Sequence, residues 1–270
     1  MTSWQDRVRT TLYPVYQQAP APVKKLFRFG SGVVNSPLLS ARQKWIRDSY
    51  TAFQHDDRRR LFMGIAQFAH TNRPIDGYYM EFGSHEANTM RMAWDSFHHL
   101  LDWSYIAFDS FEGLPKIDTI DEQDVWEEGK LKTEERRFTE ICVRHGIPRD
   151  RLRTVKGFYD ASLTPALKTE LLPTRAAVIY VDCDLYASTV PVLEFCKDFL
   201  QTGTIIVFDD WNCFHGDPDR GERRAWREFR ERHPALRFEP FIGNSMQQAF
   251  ICIHPGDGEA AVDNAVGDAR

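Results

Sequence analysis

The middle of the chain alternates short apolar runs with longer segments whose apolar residues recur every three or four positions. GYYMEFG (77–83), WSYIAFDSF (103–111), RLRTVKGFY (151–159), AAVIYVDCD (176–184) and GTIIVFDDW (203–211) read as strands. Between them TMRMAWDSFHHLL, TEERRFTEICVRH and STVPVLEFCKDFL read as helices. Ahead of the first strand, Phe53, Leu61, Ile65 and Phe68 fall at helical spacing until the sequence NRP stops the pattern. A strand-helix-strand rhythm of this kind predicts a parallel sheet covered on both faces. Near the end, LRFEPFIG and QQAFICIH flank Asn244, Ser245 and Met246, which predicts a hairpin turning at Gly243-Asn244 and hence an antiparallel addition to one sheet edge.

The two ends break the rhythm. Pro14, Pro20, Pro22 and Pro37 cut residues 1–50 into short pieces, read as an N-terminal helical appendage serving oligomerisation or as a lid. Its basic-aromatic stretch VKKLFRF (23–29) has two readings, contact with a membrane surface or packing on its own domain or a second copy, and the second is preferred because one short amphipathic segment anchors weakly. The main domain is expected over 51–255. The Gly-, Asp- and Ala-rich residues 256–270 are read as a disordered tail.

Composition narrows the function. In 270 residues a formal charge of −5 with both signs interspersed leaves no basic field for nucleic acid. The five cysteines are scattered and form no CxxC pair, so neither a disulfide framework nor a thiolate zinc site is expected. With no apolar run long enough to span a bilayer, the sequence reads as that of a cytoplasmic protein.

The chemistry lies where the strand-like runs stop. Glu81 closes the first, Asp109 the second, Asp182 and Asp184 the fourth, and Asp209 with Asp210 the fifth. Ligands of open parallel sheets bind outside the carboxyl ends of the strands, near the reversal of strand order, so these acids are expected on one edge. Asp109 suits a ribose, whose hydroxyls need an acceptor pair. The preceding turn, EFGSHEAN, has one glycine and is not GxGxxG, which favours a nucleoside without pyrophosphate. Asp182, Asp209 and Asp210 form a hard-oxygen set suited to Mg²⁺, which would relieve their mutual repulsion. Asp184 is then the candidate general base, and His215, in the loop after Trp211, a candidate assistant. For each there is a simpler reading: aspartates cap helices and turns, and loop histidines are often only solvated. His98 and His99 are expected on a solvated helix face, Met90 and Met92 in packing beneath the first loop, Cys183 as a packed thiol, and DRGERRAWREFRER (219–232) as an amphipathic helix with Ala225, Trp226 and Phe229 inward.

EFGSHEAN, DSFEGLP, KGFYDASL, VDCDLYAST and IIVFDDW, in that order, resemble the macrocin-type O-methyltransferases of natural-product biosynthesis. The resemblance implies a Rossmann-like class I methyltransferase sheet, mostly parallel, of seven strands with the last antiparallel. It also implies S-adenosylmethionine (SAM) and Mg²⁺ as cofactors and a hydroxyl on a small molecule, such as a natural-product sugar or a diol or catechol, as methyl acceptor. By resemblance Glu81, Gly83 and Ser84 form the turn under the methionine part of SAM, Asp109 and Ser110 contact its ribose, and Asp182 borders both cofactor and metal. Asp182, Asp209 and Asp210 are the implied metal ligands and Asp184 the implied base. The acidic stretch 116–131 lies where relatives carry a substrate lid. Two other readings stay open: a haloacid-dehalogenase-like Mg²⁺ phosphatase, which also uses a strand-end DxD, and a non-catalytic partner subunit with the same fold.

Overall fold

Five of the seven strands of the central sheet pair in parallel with one another: β1 (Tyr78–Phe82), β2 (Ser104–Asp109), β3 (Leu152–Lys156), β4 (Ala176–Val181) and β5 (Ile205–Phe208). The hairpin of β6 (Arg237–Gly243) and β7 (Gln248–His254) adds to β5 through an antiparallel pairing with β7, giving the order β3-β2-β1-β4-β5-β7-β6. The structure, a computed structural model, describes residues 40–117, 119–123 and 126–256. The expected sheet is therefore present with its antiparallel strand, and the N-terminal appendage up to residue 39 and the tail from 257 lie outside the described residues. The chain divides into two compact units between Asp56 and Asp57.

In the first unit, α1 (Ala41–Trp45) begins with a capping box in which Ser40 and Gln43 satisfy each other's backbone N–H groups. A π-helical turn, Ile46–Thr51, leads into α2 (Ala52–Thr71).

The second unit holds the sheet. On one face Tyr79, Tyr105, Ala107, Val178, Tyr180 and Val207 pack against Leu61, Phe62 and Ile65 of α2, Met90 and Phe97 of α3 (Asn88–Phe97), and Phe138 of α4 (Glu135–His145). After α4 the chain makes α5 (Tyr159–Ser162) and α6 (Pro165–Leu171). The other face carries Met80, Phe82, Ile106, Phe108, Ile179 and Val181 against α6, α7 (Tyr186–Cys196) and α8 (Gly221–Arg232). Each strand splits its residues between the two faces by its two-residue period, so strands buried on both sides read as unbroken apolar runs. The sequence reading passes over α6, although Thr164 caps its Leu167 N–H and Pro165 opens it, the usual start of a helix. His98 and His99 fall just past the end of α3, where the His98 ring stacks on Trp94 at 4.4 Å. The hairpin turn closes as expected at Asn244, whose N–H donates to the Gln247 carbonyl and whose Oδ1 accepts from the N–H groups of Met246 and Gln247.

Candidate active site

Parallel register sets the site. Phe82 pairs with Phe108 and Val181, and Val181 with Phe208, so the residues just beyond fall in one row along the carboxyl edge. The ladder runs on past the strand ends: Gly83 N–H donates to the Phe108 carbonyl, Asp182 N–H to Phe82 and Asp209 N–H to Val181, at 2.8–2.9 Å. The switch in strand order lies between β1 and β4, and a cleft of about 740 Å³ opens there. Gly83, Ser84, Asp109, Ser110, Asp182, Asp184, Asp209 and Asp210 all line it. Glu81 and His215 do not.

Glu81 is two residues from Tyr79 and shares its sheet face, which sends its carboxyl into the core beneath α3 instead of into the cleft. There it accepts from Tyr79 OH at 2.6 Å and Thr89 Oγ1 at 3.0 Å. Burial pushes its pKa up to about 7, and these hydroxyl donors offset only part of that. His215 is exposed, in a left-handed conformation beside the buried Phe214.

On the β1–β2 side the wall is backbone and one carboxylate. Gly83 has φ +88°, and a Cβ there would lie 1.9 Å from the Asp182 carbonyl oxygen, so the close approach of β4 by itself demands glycine. Asp109 accepts from the N–H groups of Ser84 at 2.7 Å and His85 at 3.3 Å on one oxygen and of Phe111 at 2.6 Å on the other, stitching the loops after β1 and β2 together. A carboxylate has about four acceptor positions, so one remains for a ligand hydroxyl. Ser110 donates its hydroxyl to the Gly113 carbonyl. Ser84 Oγ is buried with no hydrogen-bond partner. Ala87 takes the left-handed conformation (φ 59°) as the residue preceding α3.

On the β4–β5 side the wall is acidic. Asp209 is held by Arg58 of α2 through two bonds, Nε to Oδ1 at 3.1 Å and Nη2 to Oδ2 at 2.8 Å, and Oδ1 also accepts from Tyr180 OH and from Gln247 Nε2 at 3.0 Å. Asp210 accepts from Cys213 Sγ, while its Oδ2 receives no donor. Its carboxyl lies within bonding reach of Asp184, and two carboxyls can join only through a shared proton or cation. Burial, then the neighbouring carboxylates, holds Asp182 and Asp210 well above the usual carboxylate range. Asp184, with a left-handed backbone at φ 60°, is pushed up to about 6 by burial, against the opposing hydrogen bond from Trp126 Nε1 at 2.7 Å.

Three contributors to the cleft carry no local signal of their role. Arg58 is 151 residues from its partner. Glu222, expected on a solvated face, is buried at the first turn of α8, where it accepts the Asp210 N–H at 3.0 Å. Asp121, within the acidic stretch, is fully buried and accepts the N–H groups of Tyr186 and Ala187 at 2.7 and 3.0 Å, capping α7 from a distance. Trp126, the one aromatic residue in that stretch, is the clearest hint the sequence gives that it folds over the site.

The model of the macrocin O-methyltransferase family matches residues 71–237, well over half the chain. The chain belongs to that family. It is a SAM-dependent O-methyltransferase. Among solved structures it is similar to the O-methyltransferase NovP, at 18% identity and a TM-score of 0.55 over 72% of this chain and 79% of that one. It is similar also to the calicheamicin methyltransferase CalS11, at 20% identity and a TM-score of 0.57 over 93% and 94%. At these identities the likeness concerns the fold. No curated protein matches the chain. No helix among the described residues is long and apolar enough to cross a membrane.

Whether this macrocin-family site suits a divalent cation turns on its donors. Hard oxygens dominate, Asp210 Oδ2 lacks a donor, and the Arg58 guanidinium pairs with Asp209 alone of the four aspartates, so the chemistry fits Mg²⁺. As the side chains stand, no three donors among the described residues enclose an ion. Arg58 supplies the positive charge at Asp209.

Proposed function

We propose that this enzyme methylates a hydroxyl of a small natural-product acceptor, a sugar or a diol or catechol, with SAM along the Gly83–Asp109 wall and the acceptor at the acidic wall. The observation that carries the reading is the single row of strand-end residues, with Gly83, Ser84, Asp109 and Ser110 beyond β1 and β2 and carboxylates beyond β4 and β5, opening into one cleft. Gly83 and Ser84 would bed the methionine portion, and Asp109 with Ser110 the ribose. Glu81 supports that turn from beneath.

Asp182, Asp209 and Asp210 would hold Mg²⁺, which when bound makes an acceptor hydroxyl more acidic and fixes it in place. In the transfer the methyl carbon leaves the sulfonium sulfur and bonds to the acceptor oxygen, whose proton passes to the Asp184 carboxylate. S-adenosylhomocysteine is the other product. Trp126 Nε1 donates to Asp184 Oδ1 and fixes the carboxylate at the cleft. The scattered cysteines, which form no CxxC pair, agree with a reducing compartment such as the cytoplasm. The phosphatase alternative needs its DxD after the first strand, whereas Asp182 and Asp184 follow the fourth.

The test is calorimetric titration of SAM into the protein, then release of S-adenosylhomocysteine with a panel of vicinal diols. Asp184→Asn is expected to leave SAM affinity unchanged and to slow turnover about 10²–10⁴-fold. Full turnover by that variant would remove Asp184 as base, and absence of SAM binding would remove the cofactor assignment.

A further inference from the structure

The acidic wall brings four aspartates together, and the one guanidinium among the described residues that lines it is fastened to a single acid. Arg58 grips both oxygens of Asp209, whose Oδ1 is further committed to Tyr180 and Gln247. Asp209 is 7% exposed and the Arg58 side chain 27%. A bidentate pair so shielded is stronger than a surface ion pair. Asp182, Asp184 and Asp210 have no such partner, and Asp210 Oδ2 is buried with no donor.

Arg58 projects from α2, a helix outside the strand-end loops that supply the acids, and it lines the cleft. A cation entering among Asp182, Asp209 and Asp210 would meet an Asp209 whose charge is already neutralised. To bind Asp209 it must break two charge-assisted hydrogen bonds.

We propose that Arg58 is a resident counter-ion that competes with the divalent cation for Asp209. Metal binding in this chain is then an exchange of one cation for another, and Arg58 sets the affinity of the site. The inference rests on the Mg²⁺ assignment above. It adds two consequences: the metal-free protein is stabilised by Arg58, and removing Arg58 strengthens metal binding instead of weakening the site.

The experiment is calorimetric titration of MgCl₂ into the metal-stripped full chain, with thermal unfolding in parallel, for the native protein and for Arg58→Gln, Arg58→Lys and Asp182→Asn. Arg58→Gln is expected to bind Mg²⁺ at least tenfold more tightly than the native protein. Its metal-free Tm should be lower, and saturating Mg²⁺ should recover most of the difference. Arg58→Lys, which pairs as a point charge without the bidentate fork, should fall between the two, and it carries the comparison if Arg58→Gln does not fold. Equal or weaker Mg²⁺ binding by both Arg58 variants, with binding by the native protein and its loss in Asp182→Asn, overturns the competition while leaving the metal site standing. No Mg²⁺ binding by any of the four proteins overturns both.

Discussion

Two acids that look alike in the sequence do different work. Asp109 and Glu81 both look like strand ends, yet Asp109 stands past the last β1–β2 pair and reaches the loops, whereas Glu81 sits one residue before that pair and points into the core. Burial raises Glu81 from 4.5 to about 7, so between those values the folded protein keeps a proton that the unfolded chain has released. Its contribution to stability is whole below about pH 4.5 and is lost as pH rises through 7, by about 3 kcal/mol in total. Glu81→Gln keeps a neutral side chain of the same shape. Urea unfolding at pH 5 and pH 8 is expected to lose less stability for this variant than for the native protein; equal losses would mean that Glu81 does not carry that slope.

At the scale of elements, the acidic stretch 116–131 and α7 depend on each other. The α7 helix follows the sharp left-handed turn at Asp184 and has no side-chain cap from its own flanking residue Leu185, and Asp121 satisfies its first two N–H groups instead. A carboxylate at a helix N-terminus also meets the positive end of the helix dipole. Asp121→Ala is expected to lower stability by about 1–2 kcal/mol in chemical denaturation and to speed protease cleavage within 116–131. Unchanged cleavage would show that the stretch is held by other means, such as the Arg220 bond to the Glu122 carbonyl at 2.8 Å.

Across the second unit, one sheet divides two apolar layers, and neither layer closes without it. Phe108 is fully buried, stacks on Phe82 at 4.4 Å between ring centroids and meets Phe195 of α7 edge-on. Both phenylalanines lie directly before the residues of the cofactor wall. Phe108→Ala is expected to cost about 3–5 kcal/mol of unfolding free energy and, in the protein that remains folded, to weaken SAM binding, since Phe108 directly precedes Asp109 in β2. Calorimetry of unfolding and of SAM binding checks the two effects. Stability lost at unchanged affinity would separate the loop from the core.

The five parallel strands, the helices of strong apolar period, the antiparallel hairpin and the acids at the ends of β2, β4 and β5 are legible in the sequence, because apolar period and strand-end position are local properties. The sequence also carried the family, through motifs that keep their order along the chain. Tertiary structure decided the rest. Strand order set β4 beside β1 and so required Gly83. Only folding brought Arg58 to Asp209 over 151 residues and Asp121 to Tyr186 over 65, and only folding buried Glu222 on a helix whose pattern reads as solvated. Those pairings follow from the path of the chain in space, and electrostatics between residues so far apart leaves no periodic trace in the sequence.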